Sequence, residues 1–128
     1  MPGRETFQYA IMRVVPRVER GEALNAGVVL FSRRHRFLAA RTGLDEAALA
    51  AMAPGCEASE VRSHLRTLEQ VAAGHPAGGA IAALEASERF HWLTAPASTI
   101  VQPSAVHTGL TSDPEAELEH LFARLVAR

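Results

Sequence analysis

Hydrophobic residues in the first third of the chain follow the two-residue period of β-strands in three segments. These segments are residues 6–18, 26–32 and 35–42. The first is apolar on both sides up to Met12, as in a central strand, and Pro16 lacks the N–H that further pairing needs. Because the connections between the segments are short, they are predicted to form an antiparallel meander.

Apolar residues spaced three and four apart predict helices over residues 57–73 and from Pro114 onward, and a short Ala-rich helix is predicted over residues 45–53. Asp113 before Pro114 is a typical helix start. The predicted buried stripes are Val61, Leu65, Leu68 and Ala72 in the longer helix, and Leu118, Leu121, Phe122 and Leu125 in the last one. The last helix is expected to pack across one face of the sheet.

The segment between these helices is less regular. A short helix over residues 88–93 is predicted with Ser87 as its N-cap, followed by a strand over residues 98–102 and a loop over residues 104–110. The sequence therefore predicts an α+β fold, in which an antiparallel sheet (a three-stranded meander plus a later strand) is covered by helices. The length predicts a single domain over residues 1–128.

The composition of the chain mainly excludes classes of function. The formal net charge is −1, so neither a nucleic-acid-binding surface nor a polybasic membrane patch is predicted. All 13 basic residues are Arg, which fits the bias of a GC-rich bacterial genome. A single cysteine, Cys56, rules out an intramolecular disulfide and fits a reducing compartment. The N-terminus has no apolar signal core and no run approaches the ~20 apolar residues of a membrane span, so a cytoplasmic location is expected.

Residues 88–110 hold the first group of candidate binding residues. Trp92 offers a flat stacking face and one N–H donor, although a position in the core is the favoured interpretation for it. Arg89 is a planar donor suited to a carboxylate or phosphate. His107, in a polar segment beside Gly109, carries the side chain that proteins most often use for proton transfer near neutral pH.

A second group surrounds the first strand connection and includes two residues from the later strand and loop. If the later strand pairs beside the first, these residues would line a common polar groove; alternatively, an Arg–Glu ion pair simply fixes the hairpin. The group is Arg13, Arg17, Glu22, Asn25, Gln102 and His107. The six His are scattered and no Cys lies beside them, so no metal site is predicted, and phosphate-binding motifs are absent, so no cofactor is predicted.

Two motif-bearing segments resemble a bacterial family known as domain of unknown function 3037. They are YAIMRVVPRVERGEALNAGVVLF near the start and ERFHWLTAPASTIVQPSAVHTGL later. The resemblance carries over Arg13, Glu22, Asn25, Gly27, Trp92, Gln102 and His107 as motif positions, with no chemical role. Members of that family are often encoded beside a kinase-like protein of the HipA toxin type, which implies a HipA-like kinase partner.

The sequence thus leaves two functions open. An accessory or interaction protein predicts an exposed face that carries the motif polar residues within an apolar rim, without a deep pocket. A small-molecule or nucleotide-binding protein, possibly an enzyme, predicts a closed groove in which Arg13, Arg17 and His107 converge. The sequence leaves the oligomeric state open.

Overall fold

The computed structural model describes residues 3–127, and within them the chain forms one five-stranded antiparallel sheet with four α-helices. The strands are β1 (Glu5–Val14), β2 (Leu24–Ser32), β3 (Phe37–Thr42), β4 (Val101–Pro103) and β5 (His107–Thr111). The order is β3-β2-β1, and β4 and β5 both pair with the free side of β1. The α+β fold, the meander and the pairing of a later strand with β1 are confirmed.

The strand limits differ from the prediction, most clearly at the end of β1 and in the segment that follows α3. β1 stops at Val14 rather than at residue 18, because Pro16 cannot donate to a ladder and Val18–Arg20 forms a single 3-10 turn. The predicted loop over residues 104–110 is wrong, since most of it is β5, which pairs with the first half of β1. The later strand, predicted over residues 98–102, begins only at Val101 and includes Pro103, which pairs with Met12.

The α-helices begin and end close to the predicted positions. They are α1 (Glu46–Met52), α2 (Ala58–Ala73), α3 (Ala86–Thr94) and α4 (Pro114–Leu125). The Asp113 carboxylate accepts a hydrogen bond from the Ala116 N–H at 3.1 Å and so caps α4, as its sequence predicts. The N-cap predicted at Ser87 is wrong: α3 begins one residue before it, with Glu85 in the cap position.

The sheet separates two apolar clusters. The larger cluster lies between one face and helices α1, α2 and α3; it includes Met12 and Val14 of β1 and the predicted α2 stripe. The smaller cluster lies between the opposite face and α4. α4 packs on β2 and β3, and Phe7 of β1 is buried in the same cluster. The rest of the half of that face formed by β1, β4 and β5 is left without a covering helix. No helix within residues 3–127 has the length and apolar character needed to cross a bilayer.

A bulge in β2 sets which residues reach the uncovered half-face. Met12 pairs with Gly27 but Arg13 pairs with Asn25, so one β2 residue is extra at this point. A Cβ on Gly27 would lie 2.9 Å from the Thr42 methyl group and 3.1 Å from the Arg41 carbonyl oxygen. Gly27 is therefore needed where β3 approaches closely, and the bulge turns Asn25 onto the same face as Arg13.

Candidate functional site

A polar row crosses three strands on the face that carries α4. Arg13 of β1 is paired with Asn25 of β2 on one side and with Gln102 of β4 on the other. Residues directly opposite in an antiparallel ladder share a face, so the three side chains lie together. The structure thus brings together three of the predicted site residues that are far apart in the sequence.

Arg13 is the least satisfied member of this row. One guanidinium nitrogen donates to the Pro103 carbonyl oxygen at 3.3 Å, while Nε is buried without a hydrogen-bond partner. The ion pairs found within residues 3–127 do not include Arg13. A half-buried guanidinium in this state retains donors for a carboxylate or a carbonyl oxygen.

The two neighbours of Arg13 in the row are bonded to backbone. The Asn25 amide donates to the Leu125 carbonyl at 3.0 Å and so satisfies an unpaired acceptor at the end of α4. The Gln102 amide donates to the Thr99 carbonyl at 3.1 Å, within the loop that leads into β4. Asn25 and Gln102 therefore hold the surroundings of Arg13 in place.

His107 of β5 lies on the same face of the sheet as Arg13, beside the first half of β1. It is paired with Tyr9, and the two ring centroids are 5.2 Å apart. Tyr9 and Arg13 are four residues apart on the strand, which corresponds to roughly 13 Å. We call the surface formed by Tyr9, Ile11, Arg13, Gln102 and His107 the open face. On this surface, apolar and aromatic groups separate the two polar ends.

Arg17 and Glu22 lie elsewhere, in the connection between β1 and β2. They line a cavity of about 240 Å³ together with Arg20 and residues that follow α1. Arg20 and Glu22 form an ion pair at 2.6 Å, and the hydrogen bond from Arg20 lowers the pKa of Glu22 below its ordinary value of 4.5. An Arg–Glu pair does fix this connection, and Arg20, rather than Arg13 or Arg17, supplies it.

Arg89 and Trp92 belong to α3, on the opposite side of the sheet. Arg89 donates to the Leu84 carbonyl at 2.7 Å and to the Ala72 carbonyl at 3.4 Å, which ties α3 to the end of α2. Trp92 is not a core residue: it is 43% exposed and lines an apolar cavity of about 230 Å³ between α2, α3 and β4. Neither residue takes part in the open face.

Tyr9, Ile11 and Ser104 also belong to this region, although the sequence interpretation did not select them. Tyr9 and Ile11 are ordinary strand residues by pattern, and only the position of β5 and α4 leaves them partly uncovered. Ser104 joins β4 to β5 through two hydrogen bonds with Ile11. Residues 3–127 contain no cluster of three or more His, Cys, Asp or Glu side chains that is able to hold a metal ion.

A comparison with protein families gives one match. The model for the family described as "Protein of unknown function (DUF3037)" matches residues 9–126. The chain belongs to the DUF3037 family. Neither the curated proteins nor the solved structures contain a match.

The fold gives several of the motif positions named in the sequence analysis a structural reason. Gly27 is required by the approach of β3 at the bulge, and Asn25 caps the end of α4. Glu22 pairs with Arg20 in the first connection. Arg13 and His107 are different, because no comparable internal contact accounts for a guanidinium with a buried, unpartnered Nε or for an imidazole that lies exposed over Tyr9.

Proposed function

We propose that this DUF3037 chain is a cytoplasmic accessory protein that binds a partner protein through the open face. The observation that carries the proposal is the state of Arg13, whose guanidinium makes one long hydrogen bond, to Pro103, and takes part in none of the ion pairs among the described residues. Arg is enriched among the residues that dominate binding energy at interfaces, and it acts there by donating to carboxylates and carbonyls.

The composition of the open face supports the same proposal. Tyr9 and Ile11 provide partly exposed apolar surface between Arg13 and His107, and aromatic residues with Arg are the groups enriched at interface centres. Neither Arg13 nor His107 lines the apolar cavity or the cavity near Glu22. Gln102, at one side of the open face, lines a cavity of about 280 Å³ with Ser104 and Val106, but Arg13 and His107 do not line that cavity either. An open surface of this kind suits a protein partner better than it suits an enclosed small molecule.

The family resemblance suggests a HipA-like kinase as the partner. In this arrangement Arg13 receives a carboxylate or carbonyl of the kinase, and His107 with Tyr9 forms the far end of the contact. The alternative of an Arg/His-lined ligand groove receives less support, because Arg17 lines a different cavity from the face that carries Arg13 and His107.

The test has two steps. A HipA-like kinase that co-purifies with the chain from its host is first isolated, and the Kd of its complex with the chain is then measured. Arg13→Ala is expected to weaken the Kd about 30-fold, the loss typical of a residue that contributes about 2 kcal/mol. Arg13→Lys keeps the charge but not the planar fork, so it should recover only part of the affinity. His107→Ala tests the other end of the face.

Arg34→Ala is the matched control, because Arg34 is an exposed arginine in the β2–β3 turn, outside the open face. Equal affinities for the control and for Arg13→Ala, with both proteins folded, would remove the open face from the contact. Failure of the chain to bind any kinase-like protein while metabolites raise its melting temperature would favour the small-molecule alternative.

A further inference from the structure

The outer side of β5 is an unpaired sheet edge. Both the N–H and the C=O of Ile11 bond to Ser104, and the Val15 N–H bonds to the Ile100 carbonyl. Odd-numbered β1 residues therefore direct their backbone groups toward β4 and β5. Their partners in β5, which include His107 and Gly109, direct their backbone N–H and C=O groups toward β1. The backbone N–H and C=O groups of Thr108 and Leu110 therefore point away from β1, to a side where the described chain places no other strand.

This edge lacks the features that usually protect an exposed strand. β5 contains neither Pro nor a charged side chain, and residues 90–112 contain no Asp, Glu, Lys or Arg, although such residues make up 21% of the chain. Leu110 is 54% exposed and Val106 is 40% exposed. Uncharged, exposed edges pair readily with another strand, and depletion of charge marks the centre of an interface.

The opposite edge of the sheet is different. α2 and α4 pack against β3 from its two faces, and Arg41 on β3 forms an ion pair with Glu119 of α4. The β3 edge therefore carries a charged side chain, a feature that discourages pairing with another strand. Two copies that pair through their β5 edges alone form a closed dimer instead of a chain of copies.

We propose that two copies of this chain form a dimer in which their β5 strands pair antiparallel. Two identical strands related by a two-fold axis perpendicular to them run antiparallel, and an edge without charge meets its own copy without repulsion. A partner of another kind is usually selected and steered by complementary charge, which this edge does not offer. The dimer stands independently of the proposed kinase partner.

The geometry has a consequence for the open face. When antiparallel strands pair across a two-fold axis perpendicular to the sheet, residues opposite each other lie on the same side. The open faces of the two copies then adjoin in one ten-stranded sheet, with His107 nearest the junction. The exposed side chains Val106 and Leu110 add apolar contact beside the backbone hydrogen bonds.

The test measures mass by size-exclusion chromatography with light scattering, from about 1 µM to about 1 mM, a range that brackets weak interfaces of this size. The wild type is expected to shift from monomer to dimer as concentration rises. Leu110→Lys, which places like charges opposite each other, and Thr108→Pro, which removes an outward N–H, should raise the dimer Kd at least tenfold. Val18→Lys is the control, because Val18 is 63% exposed far from β5.

Hydrogen exchange identifies the contact directly. The amides of Thr108 and Leu110 should exchange more slowly as the wild-type concentration rises, and should stay fast in Leu110→Lys. A wild type that remains monomeric with fast exchange at both amides overturns the proposal, as does a dimer that persists unchanged in folded Leu110→Lys and Thr108→Pro. Protection that arises only when a different protein is added assigns the edge to that protein and also overturns the homodimer.

Discussion

Ser104 replaces a missing ladder bond to Ile11 with its own side chain. The Ser104 N–H donates to the Ile11 carbonyl at 2.8 Å, and the Ser104 hydroxyl accepts from the Ile11 N–H, also at 2.8 Å. The hydroxyl proton goes to the Ala105 carbonyl at 2.9 Å. One residue thus spans the break between β4 and β5 and satisfies both backbone groups of the central strand.

Ser104→Ala should therefore destabilise the protein. The Ile11 N–H would lose its acceptor in a partly buried position, which costs about 1–3 kcal/mol. Urea unfolding followed by circular dichroism measures the change. Ser104→Thr keeps the hydroxyl and serves as the control; if it and the Ala variant unfold at the same urea concentration, the hydroxyl has no part in joining the strands.

Asn25 should be replaceable by neither Ala nor Asp. Asn25→Ala removes the donor to the Leu125 carbonyl and is expected to cost about 1 kcal/mol. Asn25→Asp should cost more at pH 7, because a carboxylate then faces the negative end of α4. Thermal unfolding at pH 7 and at pH 4 compares the two, and the penalty for Asp should shrink at the lower pH as the carboxyl gains a proton. An Asp variant that is more stable than the Ala variant at pH 7 contradicts this role.

Gly27→Ala should destabilise the sheet through the contact with β3. The new methyl group would lie within 3.1 Å of both the Thr42 methyl group and the Arg41 carbonyl, and overpacking of this kind costs about 1–3 kcal/mol. Adding Thr42→Ser should recover part of the loss. Gly55→Ala is the control, since a Cβ there meets nothing within 4 Å. Equal unfolding free energies for the two Ala variants would show that the bulge has room for a side chain.

The Arg20–Glu22 pair should make a pH-dependent contribution to stability. The hydrogen bond from Arg20 lowers the pKa of Glu22 in the folded protein below 4.5. Its contribution is therefore present above the unfolded-state pKa and is lost as the pH falls through the folded-state pKa. In an NMR titration, Arg20→Ala should raise the Glu22 pKa toward 4.5, and Arg17→Ala should raise it less because Arg17 acts only at a distance. A Glu22 pKa that Arg20→Ala leaves unchanged contradicts the pairing.

Arg89 should be needed for the junction of α2 with α3 rather than for binding a ligand. Arg89→Ala removes the bonds to the Leu84 and Ala72 carbonyls, and loss of charged hydrogen bonds of this kind costs about 1.5–3 kcal/mol. The expected result is a lower unfolding free energy with no change in affinity for a partner at the open face. A loss of affinity without a loss of stability would instead make Arg89 a contact residue.

The elements predicted well are those whose local pattern agrees with their tertiary surroundings. α2 buries the apolar stripe that its spacing predicts, and Asp113 caps α4 as its sequence indicates. α4 buries Leu118 and Leu121 of its predicted stripe, while Phe122 and Leu125 are half-buried. Pairing of the later strand with β1 was also predictable, because β1 is apolar on both sides and needs neighbours on both edges. These features depend on few contacts beyond the element itself.

Strand β5, which the sequence did not predict, depends on contacts with β1 that its own sequence does not indicate. Its only apolar residue, Leu110, is exposed, and Gly109 normally weakens a strand. In the structure Gly109 is required, because a Cβ there would lie 2.7 Å from the Phe7 ring. Only part of the candidate site could be predicted. Arg13, Asn25 and Gln102 meet because their strands pair. Arg17 and Glu22 lie beyond the end of β1, so the chain carries them away from the open face.

The position of β1 has a consequence for synthesis of the chain. Its pairing with β2 involves neighbouring residues, but Ile11 meets Ser104 across 93 residues. During translation, one side of the central strand therefore remains without its partner for roughly 5–20 s after it emerges. The nascent chain carries an unsatisfied apolar strand through most of its elongation, so the ribosome-bound stage is when this protein is most exposed to chaperones and to aggregation.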